Sequence, residues 1–330
     1  MVQPASQVKG EHARVPRSQC ASTVLMIRPA AFAANPETAA SNAFQSAATV
    51  TARDAEFAMA EFDAASEALD RAGVEVVLVD DTAEPARPDA VFPNNWLSLH
   101  HDGTAVLYPM LSPLRRRERR RDVIAVLESR GFTVKRILDL TGWESSELFL
   151  EGTGSMVLDH AGRVAWACES PRTHARPLEQ FAAELGYEPR MFRATGPDGE
   201  AVYHTNVVMC LGERFALACL EAIGDATQRR RVREGLETAG RELVEIDTAQ
   251  MASFAGNALA LRTAGGVPLV AMSGAAWDSL SAAQRRALER HGQPVTPSVP
   301  TIERVGGGSL RCMLAEVFLP RRELPAEDAG

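Results

Sequence analysis

The chain has 330 residues, of which 45% are hydrophobic and 24% are charged, and its formal net charge is −8. A chain of this length and composition can bury a large core, and its acidic balance argues against a nucleic-acid partner. It has no run of about 18 apolar residues, and its polar N-terminus lacks the apolar segment of a secretory signal. We therefore expect a soluble cytoplasmic protein with no membrane partner.

Cysteine and histidine spacing gives no sign of a metal centre. The five cysteines show no C-x-x-C spacing, so a zinc site built from paired thiolates is not expected, and a chain of this size needs no disulfide framework. The histidines are scattered apart from His100 and His101, which would face opposite sides of a strand. We expect reduced cysteines and no bound metal.

Strand-like and helical stretches alternate along the chain in the repeating order strand, strand, helix, strand. In one copy residues 90–99 and 104–108 are strand-like, residues 115–130 are helical and residues 132–137 form a strand. Further copies follow over residues 148–192, 203–246 and 252–297. A fifth would combine residues 310–319 with residues 24–28, 53–72 and 74–79 from the other end of the chain.

The helix predicted over residues 115–130 begins with an arginine-rich run at residues 115–121. Ser112 and Pro113 suit a helix N-terminus, and Val123, Ile124 and Leu127 form an apolar stripe. The arginines are therefore predicted to coat the solvated face of an amphipathic helix.

The repeat predicts a closed ring. Equivalent positions recur roughly every 50–57 residues, a period typical of repeat architectures; they are Phe92, Phe149, Tyr203, Phe254 and Leu310. We predict an α/β fold of five ββαβ units with pseudo-fivefold symmetry, in which the first strand of each unit lines a central channel. Polar residues distant in sequence would then meet there, namely Asn94, Asn95, Glu151, His204, Asn206, Asn257 and Cys312.

Three of these residues have the chemistry of a cysteine enzyme. Cys312 follows the glycine-rich turn at residues 306–309, His204 begins an apolar run, and Glu151 ends another. They offer a nucleophile, a base and a carboxylate. Each alone has an ordinary alternative: a buried small side chain, a core histidine or an ion-pair partner. Their shared position in the repeat favours catalysis.

These patterns resemble the pentein, or guanidine-modifying, superfamily of arginine deiminases, dimethylarginine dimethylaminohydrolases and amidinotransferases. The resemblance covers about residues 20–320 and implies a five-bladed α/β propeller. Some motifs look like the arginine-deiminase-related branch that hydrolyses citrulline; they lie at residues 24–29, 35–45, 91–96 and 306–313.

The resemblance implies roles for particular residues. Cys312 would be the nucleophile, His204 the general acid and base, and Glu151 the supporting carboxylate. Asp89 would lie at the entrance of the site, beneath a lid formed by residues 29–45. Two further residues, Arg28 and Arg311, are weaker candidates for binding the substrate α-carboxylate, and a surface ion pair is the alternative for each.

Two departures from the family pattern bear on the substrate. Arginine deiminases hold the guanidinium with aspartates where this chain has Asn95 and Asn206. An asparagine amide is neutral and offers both a donor and an acceptor, so it complements a ureido group. These residues, with Asn94 and Asn257, are predicted to bind substrate; the alternative is that the asparagines satisfy turn backbones.

The predicted function is cysteine-dependent hydrolysis of citrulline to ornithine, ammonia and carbon dioxide, with no cofactor. Arginine deiminase, dimethylarginine dimethylaminohydrolase and amidinotransferase reactions stay open, as does a non-catalytic pentein binding module. We expect a single catalytic domain over residues 21–322, with a disordered segment at residues 1–20 and a flexible tail at residues 323–330. The expected partner is a small amino-acid substrate, and a homo-oligomer is possible.

Overall fold

A computed structural model describes residues 18–39, 42, 44, 45, 51–196 and 199–322. The predicted N-terminal segment and tail therefore lie mostly outside the described residues. The strands in chain order are β1 (Thr23–Arg28), β2 (Glu75–Asp80), β3 (Leu97–Leu99), β4 (Thr104–Leu107), β5 (Arg136–Asp139), β6 (Met156–Asp159), β7 (Val164–Cys168), β8 (Glu188–Phe192), β9 (Met209–Leu211), β10 (Phe215–Ala218), β11 (Glu242–Glu245), β12 (Leu259–Arg262), β13 (Pro268–Ala271), β14 (Gln293–Val295) and β15 (Ala315–Glu316).

Helices connect these strands. The α-helices are α1 (Pro36–Ala39), α2 (Ala52–Arg71), α3 (Asp122–Ser129), α4 (Gly152–Ser155), α5 (Ala175–Leu185), α6 (Thr205–Val208), α7 (Ala226–Thr238), α8 (Thr248–Ala252), α9 (Gly274–Ser279) and α10 (Ala282–Glu289). Shorter 3₁₀ turns cover Pro93–Asn95, Arg115–Glu118, Thr141–Ser146, Leu220–Ala222 and Leu310–Met313, and a π-helical turn covers Ile302–Gly306.

The described strands form five three-stranded sheets of one design: β15-β1-β2, β3-β4-β5, β6-β7-β8, β9-β10-β11 and β12-β13-β14. In each sheet the inner strand is antiparallel to the middle strand, and the outer strand is parallel to it. Parallel neighbours need a crossover, which α2, α3, α5, α7 and α10 provide. Each sheet with its helix is therefore one ββαβ unit.

The two ends of the chain close the ring. Strand β15 pairs with β1, with Val24 opposite Glu316 and Leu25 opposite Ala315. Inner strands of neighbouring sheets also contact each other, as β3 does with β15 and β9 does with both β6 and β12. The predicted five-unit α/β propeller is confirmed, with its inner strands around the centre.

Core packing lies between each sheet and its helix. Helix α5 shows the pattern, because Leu178, Phe181 and Leu185 share one face and are buried beneath Tyr187. Burying each such side chain contributes about 1.5–3 kcal/mol. Among the described helices, none has both the length and the apolar character that a bilayer span requires.

The inner strands are shorter than the sequence predicts. Each has only two to four residues and follows a turn of helix or a tight loop instead of continuing the strand. The difference arises because these turns are themselves buried, so apolar residues run through them without a break. A short apolar run does not distinguish a buried strand from a buried turn.

Two further boundaries differ from the prediction. The helix predicted over residues 115–130 is divided into a 3₁₀ turn at Arg115–Glu118 and α3, and both Arg115 and Glu118 are buried. Burial also begins before residue 21, because the Gln19 side chain donates to the Leu158 carbonyl and accepts from the His160 N–H.

Candidate active site

The repeat carries the site residues to one end of the ring. In each unit the chain makes a buried turn just before the inner strand, and polar side chains project from these turns. The turns are Pro93–Asn95, α4 with the preceding Glu151, α6 with the preceding His204, residues 254–258, and Leu310–Met313. Because all inner strands run in the same sense around the ring, their preceding turns lie together.

Glycines allow these turns to pack against one another. Gly152 has a φ of +48°, and a Cβ added there would lie 2.2 Å from the Asn94 carbonyl oxygen. A Cβ added at Gly256 would lie 2.1 Å from the Val207 carbonyl oxygen. Real Cβ atoms do not approach backbone so closely, so both positions need glycine for neighbouring units to meet.

A buried histidine–carboxylate pair lies within the site. His204 Nε2 is 2.9 Å from Glu151 Oε2, and both side chains are about 1% exposed. Burial would raise the pKa of Glu151, but the nearby Arg172 charge and the His204 hydrogen bond outweigh it and hold that pKa at about 2. An ionised Glu151 accepts a hydrogen bond from the Nε2–H group, so neutral His204 carries its lone pair on Nδ1.

Burial sets the protonation state of the histidine. It lowers the pKa of His204 to about 4, although the hydrogen bond to Glu151 acts in the opposite direction. His204 is therefore neutral at pH 7 and is ready to accept a proton on Nδ1. This is the state that a general base requires before reaction.

The thiol of Cys312 is held by two amide side chains. Asn257 Nδ2 lies 3.3 Å from Cys312 Sγ, and Asn206 Nδ2 lies 3.6 Å from it. The Asn206 Oδ1 atom is buried with no hydrogen-bond partner among the described residues. A buried acceptor of this kind beside the sulfur suits a ligand that donates an N–H.

Two buried arginines that were not predicted as site residues also lie at the site. Arg115 makes a two-pronged pair with Glu118 at 2.9 Å and donates to Asn95 Oδ1 at 2.8 Å. Arg172 lies 3.6 Å from Glu151 and stacks over the Tyr203 ring at 5.1 Å. The prediction that Arg115 faces solvent is therefore wrong, because its carboxylate partner lies three residues later on the same turn.

Asp89 supplies a carboxylate to the same cavity. Its Oδ2 accepts a hydrogen bond of 2.8 Å from Asn35 and lies 3.5 Å from Arg115, while its Oδ1 has no hydrogen-bond partner among the described residues. Burial raises the pKa of Asp89, and the Arg115 charge opposes that rise. Asp89 thus has one oxygen left to accept a hydrogen bond from a ligand.

The predicted lid covers the site where it is described. Asn35 bonds to Asp89, the Thr38 carbonyl accepts from Arg172 Nη2 at 3.2 Å, and Asn42 Nδ2 donates to the Gly307 carbonyl at 3.0 Å. Residues 40, 41 and 43 of this segment lie outside the described residues. The segment therefore contacts both the floor of the cavity and the turn that carries Cys312.

Some predicted site residues take other positions. Arg28 is 40% exposed and pairs with Asp63, so the surface ion pair was the better interpretation. Arg311 is buried, but it pairs with Glu316 and lines a separate cavity. Asn94 is fully buried, and its Oδ1 accepts from Asn95 instead of facing the catalytic cavity.

Asp89, Asn95, His204 and Cys312 line one small cavity with an empty volume of about 270 Å³, part of which is open to solvent. Glu151, Asn206 and Asn257 do not line it, but they hydrogen-bond to His204 or Cys312, which do. Lid and floor residues contribute together. The described lining is Thr38, Asn42, Asp89, Phe92, Asn95, Arg115, Arg172, Tyr203, His204, Gly306, Gly308 and Cys312.

Comparison with known sequences identifies a family for this fold and site. Residues 28–319 match the model of a family described as N,N dimethylarginine dimethylhydrolase, eukaryotic. No curated protein matches the sequence at a significant level. The family match covers most of the chain, including all the turns described above.

Solved structures share the fold. The substrate-bound N-terminal domain of ArgZ, an arginine dihydrolase from the ornithine-ammonia cycle in cyanobacteria, superimposes with a TM-score of 0.69 and 19% identity over 90% of this chain and 99% of that domain. Intact ArgZ gives a TM-score of 0.70 and 21% identity, and the match covers 92% of this chain but only 41% of ArgZ. DDAH from Pseudomonas aeruginosa, complexed with citrulline, gives a TM-score of 0.60 and 14% identity over 90% of this chain and 99% of that protein.

Proposed function

The chain belongs to the N,N dimethylarginine dimethylhydrolase family, whose members are hydrolases of C–N bonds in guanidino substrates, and we propose that the bond it hydrolyses is in the ureido group of citrulline. The observation that carries this proposal is that the hydrogen bonds to Cys312 Sγ come from the neutral amides of Asn206 and Asn257. A substrate carbon attacked by this sulfur must lie beside them. A cationic guanidinium would find no carboxylate among the hydrogen-bond partners of the sulfur, and burying a cation without a paired anion is costly.

Two charged residues that line the cavity suit the amino-acid end of citrulline. Asp89 Oδ1 would accept hydrogen bonds from the α-ammonium group, and Arg172 would bind the α-carboxylate. Glu118 pairs with Arg115, and the Glu151 charge is balanced by Arg172, which lies 3.6 Å from Glu151 and also lines the cavity. Asp89 and Arg172 would thus face the zwitterionic end of citrulline, and the Asn206 amide would face the neutral ureido group.

We propose the following reaction for these residues. His204 Nδ1 takes the Cys312 proton while the sulfur attacks the ureido carbon, and the resulting imidazolium is stabilised by Glu151. Asn95 Nδ2 retains one hydrogen for the developing oxyanion. The imidazolium then protonates the departing nitrogen, and ammonia leaves a thiocarbamate on the sulfur.

Water completes the cycle. His204 deprotonates a water molecule that attacks the thiocarbamate carbon, and the thiolate leaves and recovers its proton. The released carbamate decays to ornithine and carbon dioxide. Atoms balance as citrulline plus water giving ornithine, ammonia and carbon dioxide, and the sequence of steps needs no oxidant or cofactor.

A second candidate is the stepwise hydrolysis of arginine through citrulline to ornithine. Asp89 favours it, because the unpartnered Oδ1 of this buried carboxylate could instead face a guanidinium. ArgZ, whose fold this chain shares, is itself an arginine dihydrolase. In this mode Asp89 would supply the countercharge that the sulfur end of the cavity lacks.

The test is product release from citrulline, arginine and dimethylarginine supplied separately. We expect ornithine and ammonia from citrulline, loss of that turnover in Cys312→Ala, and unchanged turnover in Cys219→Ser, whose buried thiol lies outside the site. Turnover of arginine all the way to ornithine would favour the second candidate. Citrulline accumulating from arginine or dimethylarginine, with no ornithine, would contradict both.

Asn206→Asp sharpens this test. It keeps the shape of the side chain but places a carboxylate beside the sulfur, so the preference should move from citrulline towards arginine by about tenfold or more in kcat/KM. An unchanged preference would contradict the role given to neutral amides at this position.

A further inference from the structure

We propose that Asn257 is a positioning residue for the nucleophile, which it holds before any substrate binds. The sequence suggested that Asn257 contacts substrate, but its side chain is fully buried and does not line the cavity that Cys312 faces. Its Nδ2 donates to the Asn206 carbonyl at 3.1 Å and to Cys312 Sγ at 3.3 Å. The inference rests on Cys312 being the reactive thiol of the proposed function.

The turn that carries Asn257 is held by a backbone hydrogen bond and by close packing. Its backbone N–H donates to the Phe254 carbonyl at 2.8 Å, and Phe254 has a φ of +61°, a conformation that non-glycine residues rarely adopt. The neighbouring Gly256 packs directly on the Val207 carbonyl of the preceding unit. Asn257 thus has a fixed backbone and a second hydrogen bond that orients its amide group.

The amide complements both protonation states of the sulfur. As a thiolate, Cys312 accepts the Nδ2 hydrogen bond; as a thiol, it can donate to Asn257 Oδ1, which lies 3.7 Å away. Asn206 Nδ2 adds a second donor at 3.6 Å. His204 has its Nε2 committed to Glu151, so the hydrogen bonds given to the resting sulfur come from neutral amides.

This arrangement has a functional consequence. Donors that are already in place stabilise the developing thiolate without adding a positive charge that would repel a cationic group or pair with the substrate. They also keep the sulfur in one rotamer facing the cavity. Loss of Asn257 should therefore slow every reaction of the Cys312 thiolate, including reactions with reagents that resemble no substrate.

The test is alkylation of Cys312 by iodoacetamide in the full-length protein without substrate. Asn257→Asp keeps the side-chain shape but replaces the donor with a carboxylate, and we expect alkylation at neutral pH to slow by about tenfold or more. The ultraviolet thiolate absorbance, measured against Cys312→Ser, should fall with it. Wild-type alkylation and absorbance in a folded Asn257→Asp variant would overturn the proposal.

A second variant covers the possibility that Asn257→Asp does not fold. Asn257→Ser retains a small polar group in the turn but cannot reach the sulfur, so it should also slow alkylation, and rescue by a longer donor in Asn257→Gln would support the role. Normal alkylation in a folded Asn257→Ser variant would overturn it. On a substrate that is turned over, kcat should fall while KM stays near its wild-type value. Because alkylation needs no substrate, failure of the citrulline assay leaves this test intact.

Discussion

Replacing His204 with glutamine should reduce the loss in the free energy of unfolding that the protein suffers as pH falls. Burial lowers the pKa of His204 to about 4 in the folded protein, whereas 6.5 is its ordinary value. As pH falls below 6.5 the unfolded chain takes up a proton on this side chain, while the folded protein does not do so until about pH 4. The folded state therefore loses stability across that interval and loses no more from this group below it.

The size of the effect follows from the two pKa values. The gap between 6.5 and about 4 corresponds to about 3 kcal/mol at 1.36 kcal/mol per pH unit. No discount for solvent screening applies, because the side chain is about 1% exposed. His204→Gln removes the titrating group, so its free energy of unfolding should fall by about 3 kcal/mol less than that of the wild type between about pH 7.5 and pH 4.

Urea unfolding at a series of pH values measures this difference. His291→Gln is the matched control, since it removes a histidine that pairs with Glu242 at the periphery of the ring. This variant should still lose the stability that His204 removes between about pH 7.5 and pH 4. Parallel curves for the wild type and His204→Gln would refute the reasoning. They would mean that His204 is not held neutral by its surroundings.

Two further changes test the geometry of the cavity. Gly154→Ala would place a Cβ 2.4 Å from Asn95 Nδ2 and 2.7 Å from His204 Nδ1. We expect kcat to fall at least tenfold and the free energy of unfolding to fall by about 1–3 kcal/mol. The control is Gly142→Ala, whose added Cβ meets nothing within 4 Å and which should match the wild type in both activity and urea-unfolding assays. Arg172→Gln should raise KM about tenfold or more by removing the charge proposed to bind the α-carboxylate. Arg28→Gln, which removes only an exposed ion pair, should leave KM unchanged and alter stability by less than about 1 kcal/mol.

The fold and the convergence of the candidate catalytic residues could be predicted from the sequence. The order of strands and helices repeats with a period long enough to predict a ring, and one ring brings Glu151, His204 and Cys312 together. The predicted lengths of the inner strands were wrong in each unit. Buried turns carry the same apolar residues as buried strands, so the predicted inner strands were too long.

The arginines of the site show a second limit. Arg115 belongs to an arginine-rich run, and such runs are mostly solvated. Its burial depends on Glu118 in the same 3₁₀ turn and on Asp89, which is 26 residues away in sequence but 3.5 Å away in space. Arg172 is fixed by Glu151 from a different turn of the same unit. Pairings of this kind have no local pattern, so they become visible only in the folded chain.

The repeat also explains how one scaffold can carry different chemistry. Three residues after the aromatic markers Phe92, Tyr203 and Phe254, the chain has asparagine each time. The folded ring gives the three side chains different partners: Asn95 accepts from Arg115, whereas Asn206 and Asn257 donate to the sulfur.

The backbone of each turn is fixed by its neighbours, as the close approach of Gly256 to the preceding unit shows. A change of side chain at such a position therefore alters charge and hydrogen bonding at the reacting carbon while the turn keeps its place. Substrate preference in this ring should accordingly depend on a few turn positions, and Asn206 is the one with an acceptor atom still available to a ligand. That is why exchanging its amide for a carboxylate is the sharpest single change for separating ureido from guanidino substrates.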